Sequence, residues 1–459
     1  MTTDPSSPDQ TSPTAGSRVL VVGMVALITV GAFEALAVST AMPTIAKALD
    51  GLGLYAAAFS LTLATSVVGM VVSGALADRT RPVQPLLIGV GSFALGLLAA
   101  GLATSMTVLL VGRALQGLGS GMFVVALYVI VARAFPAEQR AKVLAAFSAA
   151  WVVPSLVGPM IAGFIVQTFG WRWVFLAVVV IAVPAAIIIV TTTWRVPAPD
   201  AAADGGATGP LPWRRFGLAT LAGAGVAAMS LGAATDGAER IALVAGGAAL
   251  ATAAGAPLLP RGTFRAARGL PTVVALRGIV AAAFFASEVF LPLILQTERH
   301  MTPASAGTIL TVGAVTWATG SAVRGRSHWS PTTYLRLGSS LIAVAIVAVA
   351  TLTLPASPTA IAWVGWACGG FGIGMIYPTL AVLVFDLSEP HEQGSNTSAL
   401  QVSDALMSAF VLALSGTAVT ALVAQVGVGG YAVGFGATLL LALLAVAISP
   451  RVVRAPAAR

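Results

Sequence analysis

The chain has 459 residues, of which 58% are hydrophobic and 9% charged, with a mean hydropathy of +0.94; this composition excludes an ordinary soluble domain. A formal net charge of +8 and a pI near 10.5 would suggest nucleic acid in a soluble protein. Here the cations are dispersed in the gaps between long apolar stretches, so the charge speaks of orientation in a membrane instead.

A membrane-spanning helix needs about 20 apolar residues, because the hydrocarbon core is roughly 30 Å thick and offers backbone groups no water. Fourteen stretches qualify: 19–42, 54–77, 84–104, 107–132, 142–168, 172–193, 215–235, 240–259, 271–296, 304–323, 333–354, 360–386, 394–424 and 430–449. The expected class is an all-α polytopic membrane protein. Eighteen Lys and Arg residues lie on the side of both termini, among them Arg79, Arg133, Arg140, Arg265, Arg324 and Arg451, against Lys47, Arg172, Arg240 and Arg299 opposite. The positive-inside rule then places both termini in the cytoplasm, with anionic lipid headgroups as partners of that charge and no nucleic acid.

Residues 1–17 are rich in Pro, Ser and Thr and read as a disordered cytoplasmic tail. The first span carries Phe33-Glu34-Ala35 and closes on Ala41-Met42-Pro43; it is too long and too charged to be a cleaved signal peptide. After the second span stands Gly74-Ala75-Leu76-Ala77-Asp78-Arg79, followed by Arg81-Pro82-Val83. The fourth opens with Arg113-Ala114-Leu115-Gln116-Gly117-Leu118-Gly119. A charge inside a membrane helix costs about 2.5–3.5 kcal/mol on insertion scales, so Arg113 should face a cavity or a partner. Gly117 and Gly121 are spaced for close helix packing.

The fifth span contains Pro154-Ser155-Leu156-Val157-Gly158-Pro159-Met160-Ile161-Ala162-Gly163, and its Gly158-Pro159 step predicts a kink. Trp171-Arg172-Trp173 follows as an interfacial anchor. Residues 195–214, rich in Pro, Ala, Asp and Gly, read as a flexible cytoplasmic linker. Beyond it the first half recurs. Gln116-Gly117-Leu118-Gly119-Ser120-Gly121-Met122 reappears as Gly369-Gly370-Phe371-Gly372-Ile373-Gly374-Met375 at an offset of 253, and Pro136-Ala137-Glu138-Gln139 as Pro390-His391-Glu392-Gln393 at 254. Two six-helix repeats follow, 18–194 and 271–450, with 215–259 an inserted hairpin and 451–459 a cytoplasmic tail.

Three acids fall inside spans: Glu34, Glu288 in the ninth and Asp404 in the thirteenth; Arg277 joins Arg113 as an intramembrane cation. Burial disfavours a carboxylate's charged form, which makes each acid a candidate proton carrier, with plain structural pairing as the alternative. Phe33, Phe147, Trp151, Phe284, Phe285, Trp317 and Tyr377 are candidate cavity residues suited to a lipophilic, even cationic, ligand, although packing would explain any one of them. The single Cys368 and the separate His300, His328 and His391 suggest neither disulfide nor metal site.

These signatures resemble those of the major facilitator superfamily, in its fourteen-helix drug:proton antiporter branch. The resemblance implies two six-helix bundles plus the hairpin. It implies a conformational latch at Gly74, Asp78 and Arg79, although Arg81-Pro82-Val83 departs from the family's basic pattern. It further implies proton coupling through Glu34, Arg113, Glu288 and Asp404, and an antiporter hinge or seal at Gly158, Pro159 and Gly163, where Pro154 and Ala162 replace two glycines. The family usually has Asp at the position of Glu34. The function so implied is export of lipophilic or amphipathic small molecules by a cell-membrane monomer, with a proton gradient as the energy source and no cofactor. A proton-coupled importer on the same fold, or a non-transporting receptor or scaffold, are the competing readings. No nucleotide loop, metal cluster or nucleophile–base pair suggests an enzyme.

Overall fold

The computed structural model describes residues 15–193, 212–389 and 392–453. Residues 1–14 of the expected N-terminal tail, most of the linker, Pro390-His391 and the last residues of the C-terminal tail lie outside them, while 15–17, expected to be disordered, open the first helix. The described chain is helical throughout, without a strand among the described residues. The first half holds α1 (Ala15–Ala48), α2 (Ala57–Ala77), α3 (Val83–Gly101), α4 (Met106–Ala134), α5 (Ala137–Ala149), α6 (Val152–Thr168) and α7 (Arg172–Thr193). Then come α8 (Trp213–Leu231) and α9 (Gly237–Gly255). The second half holds α10 (Leu270–Thr297), α11 (Pro303–Arg326), α12 (Pro331–Ala350), α13 (Ala360–Leu387), α14 (Gln393–Val426) and α15 (Tyr431–Ile448).

All fourteen expected spans are helical. Twelve continuous helical stretches are long and apolar enough to cross a membrane, the last of them, Gln393–Val452, containing both α14 and α15. The remaining expected span, 142–168, is where sequence and structure part. It is broken at Ala150-Trp151 into α5 and α6, and α6 passes through Gly158-Pro159 without interruption. The physical cause is Pro154: it has no N–H for the carbonyl of Ala150, four residues back, and its ring crowds that oxygen. Starts elsewhere follow ordinary capping chemistry. Thr302 and Ser330 accept the amides of Ser305 and Thr333 at 3.2 and 3.1 Å, each followed by a proline in the first turn.

The two halves repeat the same packing scheme. In the first, α1 lies on α6 and α7, α4 on α2 and α3, and α3 on α7; in the second, α10 lies on α14 and α15, α13 on α11 and α12, and α12 on α15. The repeated glycines mark the same crossing in both. Gly117 and Gly121 of α4 admit the carbonyls of Thr62 and Ser66 of α2, as Gly370 and Gly374 of α13 admit those of Gly313 and Trp317 of α11. A side chain at any of these four positions would strike a backbone oxygen, so small residues here set the helix separation.

Between the halves, α6 packs on α11 and α2 on α14, while α1 touches α10 and α11. Hydrogen bonds across this divide gather at the end remote from Ala15, the far end. Gln296 donates to the Thr40 carbonyl at 2.9 Å and accepts from Thr44 at 3.3 Å, and the Tyr55 hydroxyl donates to the Val289 carbonyl at 2.7 Å. The hairpin lies outside, α8 against α2 and α14. A small apolar cluster of Ala64, Val226, Met229, Ala251, Ala409 and Ala413 fills the space beneath it. Two buried hydroxyl contacts fix it, Ser60 with Ser230 at 2.8 Å and Thr417 to the Met229 carbonyl at 2.9 Å.

Candidate functional site

Charge is concentrated at two places in the interior. In the first half, Glu34 from α1 meets Arg113 and Gln116 from α4. The Arg113 guanidinium donates to the Glu34 carboxylate, to Gln116 Oε1 at 2.5 Å, and through Nε to the Ala58 carbonyl of α2 at 3.0 Å. The side chains of Arg113 and Glu34 keep only 4% and 5% of their exposure. Gln116 turns its oxygen to the arginine at the expense of its Nε2, which has no partner among the described residues. One guanidinium thus ties three helices by charge-assisted bonds.

In the second half, Arg277 of α10 donates through Nε to Asp404 Oδ2 of α14 at 2.7 Å and through Nη2 to Gln401 at 3.4 Å. The Tyr377 hydroxyl of α13 donates to the same carboxylate oxygen at 3.1 Å, and the guanidinium sits 3.4 Å from the centre of the Tyr377 ring. This pair is wetter, at 12% and 19% exposed, and Tyr128 of the opposite half lies within its electrostatic reach. The sequence had marked Asp404 as a candidate but had not joined it to Arg277. Each is an isolated charge in an apolar span, and their pairing across 127 residues leaves no local pattern.

Glu288 of α10 stands apart from both constellations. It is half-buried and makes neither hydrogen bond nor ion pair among the described residues. Its position is the repeat equivalent of Glu34 at an offset of 254, whereas the equivalent of Arg113 at 253 is Trp366.

The candidate aromatics divide. Phe284, Phe285, Trp317 and Tyr377 form one cluster, with Phe284–Trp317 centroids 5.9 Å apart and Trp317–Tyr377 5.2 Å apart. Trp366 stacks on Phe284 at 4.8 Å. The three from the first half do not join it. Phe33 lies beside Gly158, Phe147 pairs edge-on with Tyr128 at 5.8 Å, and Trp151 remains 48% exposed at the start of α6.

At the near end, Asp78 ends α2 as an exposed residue without an ion pair among the described residues. Arg79 reaches back to the Ala75 carbonyl at 3.2 Å, and Arg133 of α4 bonds the Ala77 carbonyl at 2.8 Å. Gly74 faces open space. The α6 signature is more tightly placed. Gly163 abuts the backbone of Pro303 and Ala304, and Gly307 of α11 abuts the carbonyl of Pro159, so backbone meets backbone across the two halves near the far end. Gly158 has ordinary room beside Phe33.

Twin six-span bundles with internal charge, joined at the far end, define a multi-pass helical membrane protein. Residues 22–412 match the family model described as Major Facilitator Superfamily, and the chain belongs to that superfamily. It is 28% identical over 426 residues to the probable multidrug-efflux transporter Rv1634 of Mycobacterium tuberculosis, covering 88% of this chain and 87% of that one. It is 25% identical over 423 residues to the multidrug transporter protein MdtP of Bacillus subtilis, covering 88% and 75%. A match to the multidrug efflux pump SdrM of Staphylococcus aureus, 27% identical, spans only 38% of this chain and 39% of that pump. Among solved structures, a POT family transporter in complex with a thioalcohol-conjugated peptide superposes with a TM-score of 0.72 over 95% of this chain and 96% of its own, at 12% identity. That likeness concerns the fold.

Proposed function

We propose that this transporter exports lipophilic or amphipathic small molecules across the cytoplasmic membrane by alternating access, with inward proton movement driving outward substrate movement. The observation that carries the reading is the occurrence of acids inside both bundles together with the α6 glycine signature packed on α11 at the seam between halves. An acid there can exchange a proton with either side only if the seam opens, which couples titration to conformation. The efflux name of Rv1634 supports the direction of transport, and the multidrug names of Rv1634 and MdtP support the class of cargo. Both termini are taken as cytoplasmic, so the hydrogen-bonded far end is the exterior side. The coupling groups lie among Glu34, Arg113, Glu288 and Asp404, the second-half aromatic cluster offers apolar and π surface to the cargo, and Gly74, Asp78 and Arg79 latch the cytoplasmic side. The protein works as a monomer and needs no cofactor.

One proton entering down 100 mV and one pH unit supplies about 3.7 kcal/mol, enough for a several-hundredfold substrate gradient at perfect coupling. The test is accumulation of a panel of dyes and drugs in cells with and without the gene, with and without a protonophore. Expression should lower accumulation of some lipophilic compounds, and the protonophore should abolish the difference. Higher accumulation on expression would establish import instead, and protonophore-insensitive export would remove the proton from the mechanism.

A further inference from the structure

Three carboxyls share the interior, and their surroundings divide the work between them. Glu34 is held by Arg113, whose remaining bonds run to Gln116 and the Ala58 carbonyl, in a pocket closed to solvent. Protonating Glu34 would strand a buried guanidinium with only neutral acceptors, so this carboxylate is poorly placed to release and regain a proton in each cycle. Asp404 is likewise held, by Arg277 and by the Tyr377 hydroxyl.

Glu288 has no such guardian. The internal repeat shows why: the second half keeps the acid of α1 in α10 but replaces the arginine of α4 by Trp366 of α13, which stacks on Phe284. The first-half pair and the second-half lone acid are therefore two solutions at one repeat position. Among the described residues, no cation on the neighbours of α10 forms an ion pair with it. Across the elements packed on it, α1 brings Glu34, already paired, and Lys47 in its last turn; α13 brings Tyr377, within electrostatic reach, and Asp386 next to its last residue; and α14 brings Asp404, paired with Arg277 of α10 itself, while Arg265 and Arg451 lie in short turns at the near end. The charges of α11, α12 and α15 lie only at or near their ends, as Arg324, Arg326 and Arg336, with Tyr334 and Tyr431. Glu288 also adjoins the far-end seal, since the next residue's carbonyl accepts the Tyr55 hydroxyl of the other half. Opening that seal moves the backbone immediately beside the carboxyl.

We infer that Glu288, rather than Glu34, carries the transported proton, and that Glu34 with Arg113 is a positioning pair that ties α1 to α4 and α2. The inference rests on the proton-coupled reading above. In the outward-open state the Glu288 carboxylate takes a proton from exterior water; in the inward-open state it returns that proton to cytoplasmic water as substrate arrives. No bond other than O–H forms or breaks.

The experiment is pH-difference infrared spectroscopy of the full chain in lipid nanodiscs, following the C=O stretch of a protonated carboxyl. Wild type should show a titrating band. Glu288→Gln should lose it, Glu288→Asp should keep it with a displaced midpoint, and Glu34→Gln and Asp404→Asn should leave it in place. The Asp, Glu34 and Asp404 variants keep the test decisive if Glu288→Gln does not fold. A band abolished by Glu34→Gln or Asp404→Asn, or one that survives Glu288→Gln, overturns the assignment while proton coupling stands. Absence of any titrating carboxyl band in wild type overturns both.

Discussion

Replacing Arg113 with methionine isolates what the first-half pair contributes. The change keeps an unbranched side chain but leaves Glu34, 5% exposed, without the guanidinium that now faces it. It also removes the donors to Gln116 and the Ala58 carbonyl. Stranding one member of a buried ion pair costs about 3–5 kcal/mol, or roughly two to four decades in the folding equilibrium. Replacing both members by apolar groups of similar size is commonly neutral or stabilising, by up to about 4 kcal/mol. Arg113→Met should therefore melt far below wild type in heated-sample gel filtration, and Glu34→Leu combined with Arg113→Met should recover most of the loss. The double variant should insert well but transport poorly, because three helices lose their common tie. A single variant as stable as wild type, or a double no better than the single, would refute the account of Arg113 as a buried counter-ion.

The second-half pair provides a comparison: Arg277→Met should destabilise by less than Arg113→Met, since Arg277 and Asp404 keep 12% and 19% exposure and water can compensate; equal losses in the same melting assay would contradict this. Glycine substitutions should have opposite signs by site. Gly370→Ala forces a side chain onto the Gly313 carbonyl and should cost about 1–3 kcal/mol. Gly91→Ala, in α3 with open space around it, should gain about 0.5–1 kcal/mol, so a matching sign in thermal melts would sink the packing argument. Gly163→Val should wedge α6 from α11 at the far end; a bias of about 1–3 kcal/mol corresponds to roughly 5- to 150-fold in the open fraction. It is read as faster labelling of Gln296→Cys by an impermeant maleimide, and unchanged labelling would deny the seal.

Much of this architecture was readable in one dimension because hydrophobic length is a strong signal and the repeat was preserved at Gly117, Gly121, Gly370 and Gly374. Their role as crossing points needed only their spacing. What escaped was set by tertiary contact or by competition between prolines. The interruption at Ala150-Trp151 comes from Pro154, while the more conspicuous Gly158-Pro159 step continues as helix. The Arg113–Glu34 meeting was foreseeable, since both charges would otherwise face lipid. Arg277 was visible as a costly charge but not as the partner of Asp404. The aromatics of the second half proved neighbours while Phe33, Phe147 and Trp151 did not, because residue type carries no information about which helix face meets which.

The α8–α9 hairpin breaks a symmetry that the two bundles otherwise keep. Of the two seams between halves, α6 with α11 and α2 with α14, only the second is covered among the described residues, by α8 bonded at Ser60 on one side and Thr417 on the other. A rocking motion that parts α2 from α14 must break at least one of those interhelical hydrogen bonds, at about 0.5–1.5 kcal/mol net because each hydroxyl keeps a carbonyl of its own helix, and must drag a helix through lipid. The uncovered seam carries no such toll. Alternating access in this molecule is therefore mechanically lopsided, closer to a door with a hinge post on one side than to a balanced rocker.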